Sequence, residues 1–364
     1  MNSKLYFKNL DSIRFFAAFL VFISHTYAYP LLLHWHLNLI GRLGVLIFFV
    51  LSGFLITYLL LKEHEENGCI SLKKFYIRRV LRIWPLYFFS ILLTLIIYHT
   101  VLRQLHVSYG NFVQYITFLS NFDLISLMKH DIYMLVPMSL RVTWSVSVEE
   151  QFYLFWPLLF VFFPRKLWSI PIIIVLVLST SFRFINRTDS LLLDYHTCGV
   201  LTALAIGGAY AFLIKRNIRF RSFFESTNTS THLISFIITF FLFRNLSTGW
   251  LQEIFIEVAF GFIITAQAIT KKQSILNLSN IKFARNFGKY TYAIYMLHPI
   301  ALAVVNDLLL RLKLSDTAHF VMILDIVLGF GITILMAMLS YHFCETPFLK
   351  LKEKFTFSEN KAYL

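Results

Sequence analysis

Charge is scarce in this 364-residue chain: Asp, Glu, Lys and Arg together make up 14% of it, against about 25% in a soluble globular domain. Too few charges remain to cover a water-facing surface, which excludes a soluble fold of this size. Cysteine is scarcer still. Cys69, Cys198 and Cys344 are scattered, with neither the paired spacing of a disulfide scaffold nor the clustering of a metal site, so neither disulfides nor a metal is expected. There is no glycine-rich phosphate loop, no low-complexity tract and no visible inverted repeat of the kind that marks many transporters. A hydrophobic content of 58% also excludes disordered and collagen-like chains.

What the sequence has instead is long apolar runs and 40 phenylalanines. A helix needs about 20 apolar residues to cross a bilayer, and such runs fall at 12–30, 39–61, 80–102, 144–164, 167–185, 197–214, 231–248, 250–270, 290–310 and 318–343. The expected fold is all-α, a polytopic integral membrane protein of about ten transmembrane helices. The first run carries Asp11 and Arg14 at its start and lacks a convincing cleavage site, so it is read as a retained helix rather than a secretory signal. With the N-terminus placed in the cytoplasm, 23 Lys and Arg fall on inner segments and 9 on outer ones, with Arg14 inside the first helix. That asymmetry predicts both termini in the cytoplasm. It also accounts for the net charge of +14 without nucleic acid. Residues 1–350 form a single transmembrane domain, followed by a short basic cytoplasmic tail over 351–364. The long external connection, 103–143, carries the aromatic stretch Phe112–Phe122, too short to span and read as interfacial or re-entrant.

Ionisable side chains at bilayer depth are costly and tend to mark function. Arg14 and His25 lie eleven residues apart, which puts them on one helix face about 16 Å apart along the axis, with Ala17, Ala18 and Val21 along the strip between them. A core histidine bonded to a neighbouring helix would explain His25 alone, and snorkelling would explain Arg14 alone. As a pair on one face they suit a path from an inner cation to an imidazole in the outer half. Glu149 and Glu150, in Trp144-Ser145-Val146-Ser147-Val148-Glu149-Glu150-Gln151-Phe152-Tyr153, fall about 10 Å below the outer end of their helix. At that shared depth they are expected to orient His25 and raise its basicity; pairing with an arginine or capping a later helix start is the alternative. Arg78, Arg79 and Arg82 crowd the inner edge of the third run. Positive-inside anchoring accounts for most such clusters, yet forked guanidiniums also suit the phosphates of a cytosolic donor. His298 precedes Pro299, which bends its helix and frees a carbonyl. Glu345 closes the last helix and is expected to pair with Arg78, Arg79 or Arg82. Glu253, Glu257 and Asp325 are further intramembrane acids without an assigned role.

Taken together, these segments resemble the membrane-bound acyltransferase-3 family. The likeness runs in order through Leu10-Asp11-Ser12-Ile13-Arg14-Phe15-Phe16-Ala17, His25, Phe48-Phe49-Val50-Leu51-Ser52-Gly53-Phe54-Leu55-Ile56, the arginine stretch, Trp144 to Tyr153 and the two C-terminal stretches. The resemblance implies a ten-helix enzyme that takes an acyl group, usually acetyl from acetyl-CoA in the cytoplasm, to a hydroxyl on an extracytoplasmic glycan. It puts the family's first-helix arginine and histidine on Arg14 and His25, its basic stretch on Arg78, Arg79 and Arg82, and its acidic motif on Glu149 and Glu150. Tyr153, His298 and Glu345 then take substrate or structural support.

The expected function is therefore O-acyl transfer, most readily O-acetyl transfer, in the bacterial cytoplasmic (inner) membrane. No cofactor is held; acetyl-CoA or another acyl-CoA is the co-substrate, and a surface polysaccharide, O-antigen or exopolysaccharide is the acceptor. His25 either deprotonates the acceptor hydroxyl or carries the acyl group as an acyl-imidazole. Some relatives carry an esterase-like domain after the membrane part, so this chain is expected to complete transfer alone or with a separate partner. Beyond acyl-CoA, the glycan and the bilayer, a second copy of the chain is an admitted partner; no nucleic acid is expected. The competing reading is a transporter or flippase of a glycan or lipid-linked intermediate, whose path the same polar residues would line; a structural membrane subunit is a third.

Overall fold

A computed structural model describes residues 7–28, 34, 39–102, 110–244, 249–272, 274–314 and 319–355. Residues 356–364 of the expected tail and 103–109 of the long connection lie outside the described residues, as do 29–30 of the first expected span and 245–248 of the seventh. The described chain is helical, with no strand among the described residues. Its principal helices are α1 (Lys8–Ser24), α2 (Ile40–Asn67), α3 (Leu72–Thr100), α4 (Ser120–Lys129), α5 (Met138–Arg141), α6 (Thr143–Phe162), α7 (Ser169–Ile185) and α8 (Ser190–Tyr195). They continue with α9 (Thr197–Arg216), α10 (Ile218–Glu225), α11 (Thr229–Arg244), α12 (Trp250–Ile269), α13 (Thr291–Arg311), α14 (His319–Ser340) and α15 (Thr346–Glu353).

Helix is the form such sequences must take, because an apolar solvent leaves every backbone N–H and C=O to be satisfied within its own segment. Among the described residues, seven stretches are long and apolar enough to cross a membrane: Ile40–Asn67, Leu72–Thr100, Arg165–Ile185, Thr197–Arg216, Trp250–Ile269, Lys282–Arg311 and His319–Glu353. The other three expected spans are helical too, but α1 has 17 residues and α11 has 16, and the 20 residues of α6 include Glu149 and Glu150. Outward faces are apolar, as on α7, where Ile173, Val177, Leu178 and Phe184 are exposed. Local signals set the ends. Gly68, at φ +72°, closes α2 in the left-handed conformation that glycine adopts without strain, and its N–H reaches the His64 carbonyl. The Ser71 hydroxyl then accepts from the Lys74 N–H to open α3.

Glycine also sets the centre. A Cβ on Gly53 would sit 1.8 Å from the Leu204 carbonyl oxygen, and one on Gly207 would sit 1.9 Å from that of Val50. The backbones of α2 and α9 therefore touch directly, by the small-residue packing that membranes favour. On its other side α2 meets α1, where a Cβ on Gly44 would lie 2.5 Å from the Ala17 carbonyl oxygen. Ala17, Ala18 and Val21 are buried. That strip, expected to line a path, is chiefly a packing seam.

The aromatic stretch in the long connection does not form one segment. It breaks into Phe112–Ile116 and α4, with Phe118 between them at φ +56°. Both pieces are sewn onto the bundle: Tyr87 donates its hydroxyl to the Tyr115 carbonyl at 2.7 Å, and Gln151 Nε2 donates to the Phe118 carbonyl at 2.8 Å. The unassigned acids also find structural roles. Buried Arg183 reaches Glu253 and donates to the Gly199 carbonyl at 2.7 Å, Arg42 binds the same Glu253, and Arg183 lies 3.8 Å from Glu257. One ionic cluster thus ties α2, α7, α9 and α12. Asp325 on α14 accepts from the Tyr27 N–H at 2.7 Å just past α1.

If the α2–α9 contact is the spine of the fold, Gly207→Ala should lower stability by about 3 kcal/mol, because a helix backbone cannot yield as a side chain does. Gly331→Ala, where nothing lies within 4 Å, should be neutral or slightly stabilising by helix propensity, up to about 1 kcal/mol. Thermal unfolding of the two detergent-purified variants checks the contrast.

Candidate active site

Two of the cavities in the helical bundle share Val45 and Tyr295 in their walls. The first, of about 130 Å³, is walled by Arg14, Ser52, Arg79, Arg82, Glu149 and Lys289 among others. The second, of about 350 Å³, is walled by His25, Arg42, Arg141, Trp144, Asp194 and Tyr195 among others. Between them the Tyr295 hydroxyl lies 2.6 Å from Ser145 Oγ and donates to the Val142 carbonyl at 3.1 Å.

The first cavity gathers more positive charge than it neutralises. Arg14 is bound by Asp11 at 2.8 Å. Arg79 stacks over the rings of Phe75 and Tyr153, at 5.6 and 5.7 Å from their centroids, and its buried Nε has no hydrogen-bond partner. Lys352 on α15 is within electrostatic reach of Arg14, Arg78, Arg79 and Arg82. Glu149 stands at the wall of this cavity, where Ser52 Oγ donates to Oε1 at 2.6 Å and the Tyr153 hydroxyl donates to Oε2 at 3.1 Å. An excess of forked cations around one concavity is what a polyphosphate ligand requires.

Around the second cavity the chemistry centres on an imidazole pair. Pro299 has no N–H, so the Tyr295 carbonyl four residues earlier lacks its helical donor. His298 supplies one: its Nδ1 lies 2.7 Å from the Tyr295 oxygen and 3.2 Å from that of Ile294. Carbonyls only accept, so Nδ1 of His298 carries the proton, and its Nε2 in the neutral ring is bare. His25 Nδ1 lies 2.9 Å from that Nε2 and must be the donor. The tautomer of His25 is thereby assigned, with its own Nε2 holding the free lone pair, the form a general base needs. Two groups of this cavity sit in the short connecting helices α5 and α8. Burial lowers the Arg141 pKa from its ordinary value, and burial raises the Asp194 carboxyl, opposed by the Arg42 guanidinium 2.9 Å away.

Several sequence-predicted residues are placed differently from expectation. The carboxylates do not orient His25: Glu149 belongs to the arginine cavity, and Glu150 accepts from Trp84 Nε1 at 3.0 Å. Residue counting along α6 does not give the azimuth that turns these acids toward Ser52 on α2 and Trp84 on α3. Arg78 is buried against Glu63 at 2.9 Å and donates to the Phe355 carbonyl, outside the cavity wall that Arg79 and Arg82 share. Glu345 forms no ion pair within 4 Å among the described residues; its Oε1 is buried without a hydrogen-bond partner, at a π-helical turn over Tyr341–Glu345, with Arg82 the nearest charge influence. Tyr153 supports Glu149, and His298 supports His25. Sequence reading passed over Ser52, Tyr295, Lys289 and Arg141. Ser52 and Tyr295 lie inside motifs already singled out, and Arg141 is a lone cation two residues before α6.

The acyltransferase-3 family profile, described as an acyltransferase domain, matches residues 7–342. Similar curated proteins include the O-acetyltransferase OatA of Staphylococcus aureus strains NCTC 8325 and COL, each 29% identical over 370 residues, covering 96% of this chain and 58% of the relative. The chain thus spans 58% of the length of these relatives. No solved structure matches.

The imidazole pair makes a spectroscopic prediction. Nitrogen-15 spectra of histidine-labelled protein should show His25 and His298 both neutral and protonated at Nδ1, and His298→Ala should release His25 to the Nε2–H form that free histidine prefers. A His25 signal unchanged by His298→Ala would contradict the tautomer assignment.

Proposed function

We propose, for a chain that belongs to the acyltransferase-3 family, that it moves an acyl group, most readily acetyl, from acyl-CoA to a hydroxyl of an extracytoplasmic glycan such as a surface polysaccharide. The observation that carries this reading is the pair of cavities meeting at Val45 and Tyr295, one rich in cations and the other containing a lone-pair imidazole. The arginine end of the bundle faces the cytoplasm in this account, as the distribution of Lys and Arg favours, in a bacterial inner membrane with both termini inside.

Arg79, Arg82 and Lys289, with Arg14 beside them, receive the phosphates of the donor. The thioester arm points toward Tyr295, and the Glu149–Ser52–Tyr153 group holds the wall against which it lies. In the second cavity an acceptor hydroxyl gives its proton to His25 Nε2 as its oxygen attacks the thioester carbonyl. The C–S bond breaks, the CoA thiolate leaves and takes up the proton, and the new C–O bond is the product ester. His298 holds the tautomer, and the pair disperses the positive charge that His25 gains in the transition state. Relatives named O-acetyltransferase support acetyl as the group moved.

Two losses should separate the cavities kinetically. Arg79→Gln and Arg82→Gln should each raise the KM for acetyl-CoA about tenfold or more, the value of a charge-assisted hydrogen bond, with a smaller effect on kcat. His25→Ala should cut kcat by about 10² to 10⁴ with the acetyl-CoA KM little changed. Membranes given radiolabelled acetyl-CoA and the host's surface polysaccharide provide the assay, reading alkali-labile label in the glycan at equal protein abundance. Wild-type transfer retained by His25→Ala would refute the mechanism, and glycan flux in proteoliposomes without acyl-CoA would favour transport instead.

A further inference from the structure

Within the second cavity one charge has no counterpart. Arg42 is matched there by Glu253 and by Asp194 at 2.9 Å. Arg141, at the end of α5, has no carboxylate within ion-pair distance among the described residues. Its Nε is buried without a hydrogen-bond partner, its Nη1 finds only the Met134 sulfur at 3.8 Å, and its guanidinium lies over the Tyr133 ring at 5.3 Å. Arginine keeps its proton, so this half-buried guanidinium presents a permanent positive charge, with an unfilled Nε donor, to the cavity that it lines. A fork left open at a cavity wall is suited to an anion that a ligand brings.

The walls around it fit the same conclusion. Trp144 and Tyr195 line the cavity, with ring centroids 4.9 Å apart and planes at 78°, and Tyr133 supports the guanidinium from below. Aromatic faces suit the C–H surfaces of a pyranose ring, and a planar fork suits a carboxylate or phosphate. Asp194, already committed to Arg42, adds no free negative charge that would repel an acid.

We infer that the acceptor glycan is acidic: it carries a carboxylate or phosphate that Arg141 binds while a neighbouring hydroxyl faces His25. This rests on the proposed acceptor role of the second cavity. It also gives the site a means of choosing which hydroxyl reacts, since the anion and the imidazole fix the sugar at two points.

Titration calorimetry on the purified full chain decides it, using methyl glucuronide, glucose 1-phosphate and methyl glucoside as probes. The charged sugars together, or one of them, should bind wild type about tenfold more tightly than the neutral glucoside, as a fork to an anion allows; which one binds identifies carboxylate or phosphate as the source. Arg141→Gln should reduce that preference to within about twofold, and Arg141→Lys, retaining the charge without the fork, should fall between. The preference should survive Arg79→Gln. Equal binding of all three sugars by wild type overturns the inference, as does binding of none, or a preference that survives Arg141→Gln or vanishes with Arg79→Gln. Labelled acetyl transfer to the same sugars is read in parallel: acid binding that depends on Arg141 without any transfer would sink the acyltransfer reading and leave the anion site standing.

Discussion

A missing amide proton organises the centre of this protein. Proline at 299 leaves the carbonyl of buried Tyr295 without a helical donor. An orphaned carbonyl in such a place costs several kcal/mol, and the remedy is a side chain from the next position, His298. Once that ring donates through Nδ1, its other nitrogen is committed as an acceptor, and His25 on a different helix is committed as its donor. The state of the imidazole at the second cavity thus follows from a backbone defect one helix away. The same residue that carries the orphaned carbonyl, Tyr295, stands with its hydroxyl between the two cavities.

Charge is handled differently at the cavities and away from them. At the arginine end, Arg14, Arg79, Arg82 and Lys289 outnumber Glu149 in the cavity wall, an excess that the proposed donor would neutralise. Away from the cavities Arg183 is closed into a pair with Glu253 and Arg78 into one with Glu63. Clusters that are satisfied by the protein alone hold helices together; those left unsatisfied are where the proposed ligands would complete the set. By that criterion Arg78 falls among the structural groups, while Arg79, Arg82 and Arg141 fall among the binding groups.

Much of the architecture was legible in the amino-acid order because an apolar solvent makes length and hydropathy decisive. Every expected span contains a helix, although α1, α6 and α11 are too short or too polar to meet the criterion of span length and apolarity alone. The carbonyl freed by Pro299 was legible, since the consequence of losing an N–H is local. What surrounds each polar side chain was not, because the turn of one helix relative to another depends on packing at residues such as Gly53 and Gly207, where the α2 and α9 backbones meet. For that reason Glu149 and Glu150 were expected beside His25, whereas they face Ser52, Tyr153 and Trp84. The His25–His298 contact joins positions 273 residues apart, a pairing no periodicity could disclose.

The central claim is that one chain joins a donor held at its arginine end to an acceptor at the opposite end. Sealed vesicles of defined orientation test it, with labelled acetyl-CoA outside and the acceptor glycan trapped within. Label should enter the trapped glycan only when the arginine end faces outward, and His25→Ala should abolish it. Labelling only when donor and acceptor share one side of the membrane, with none crossing in either orientation, would contradict the account.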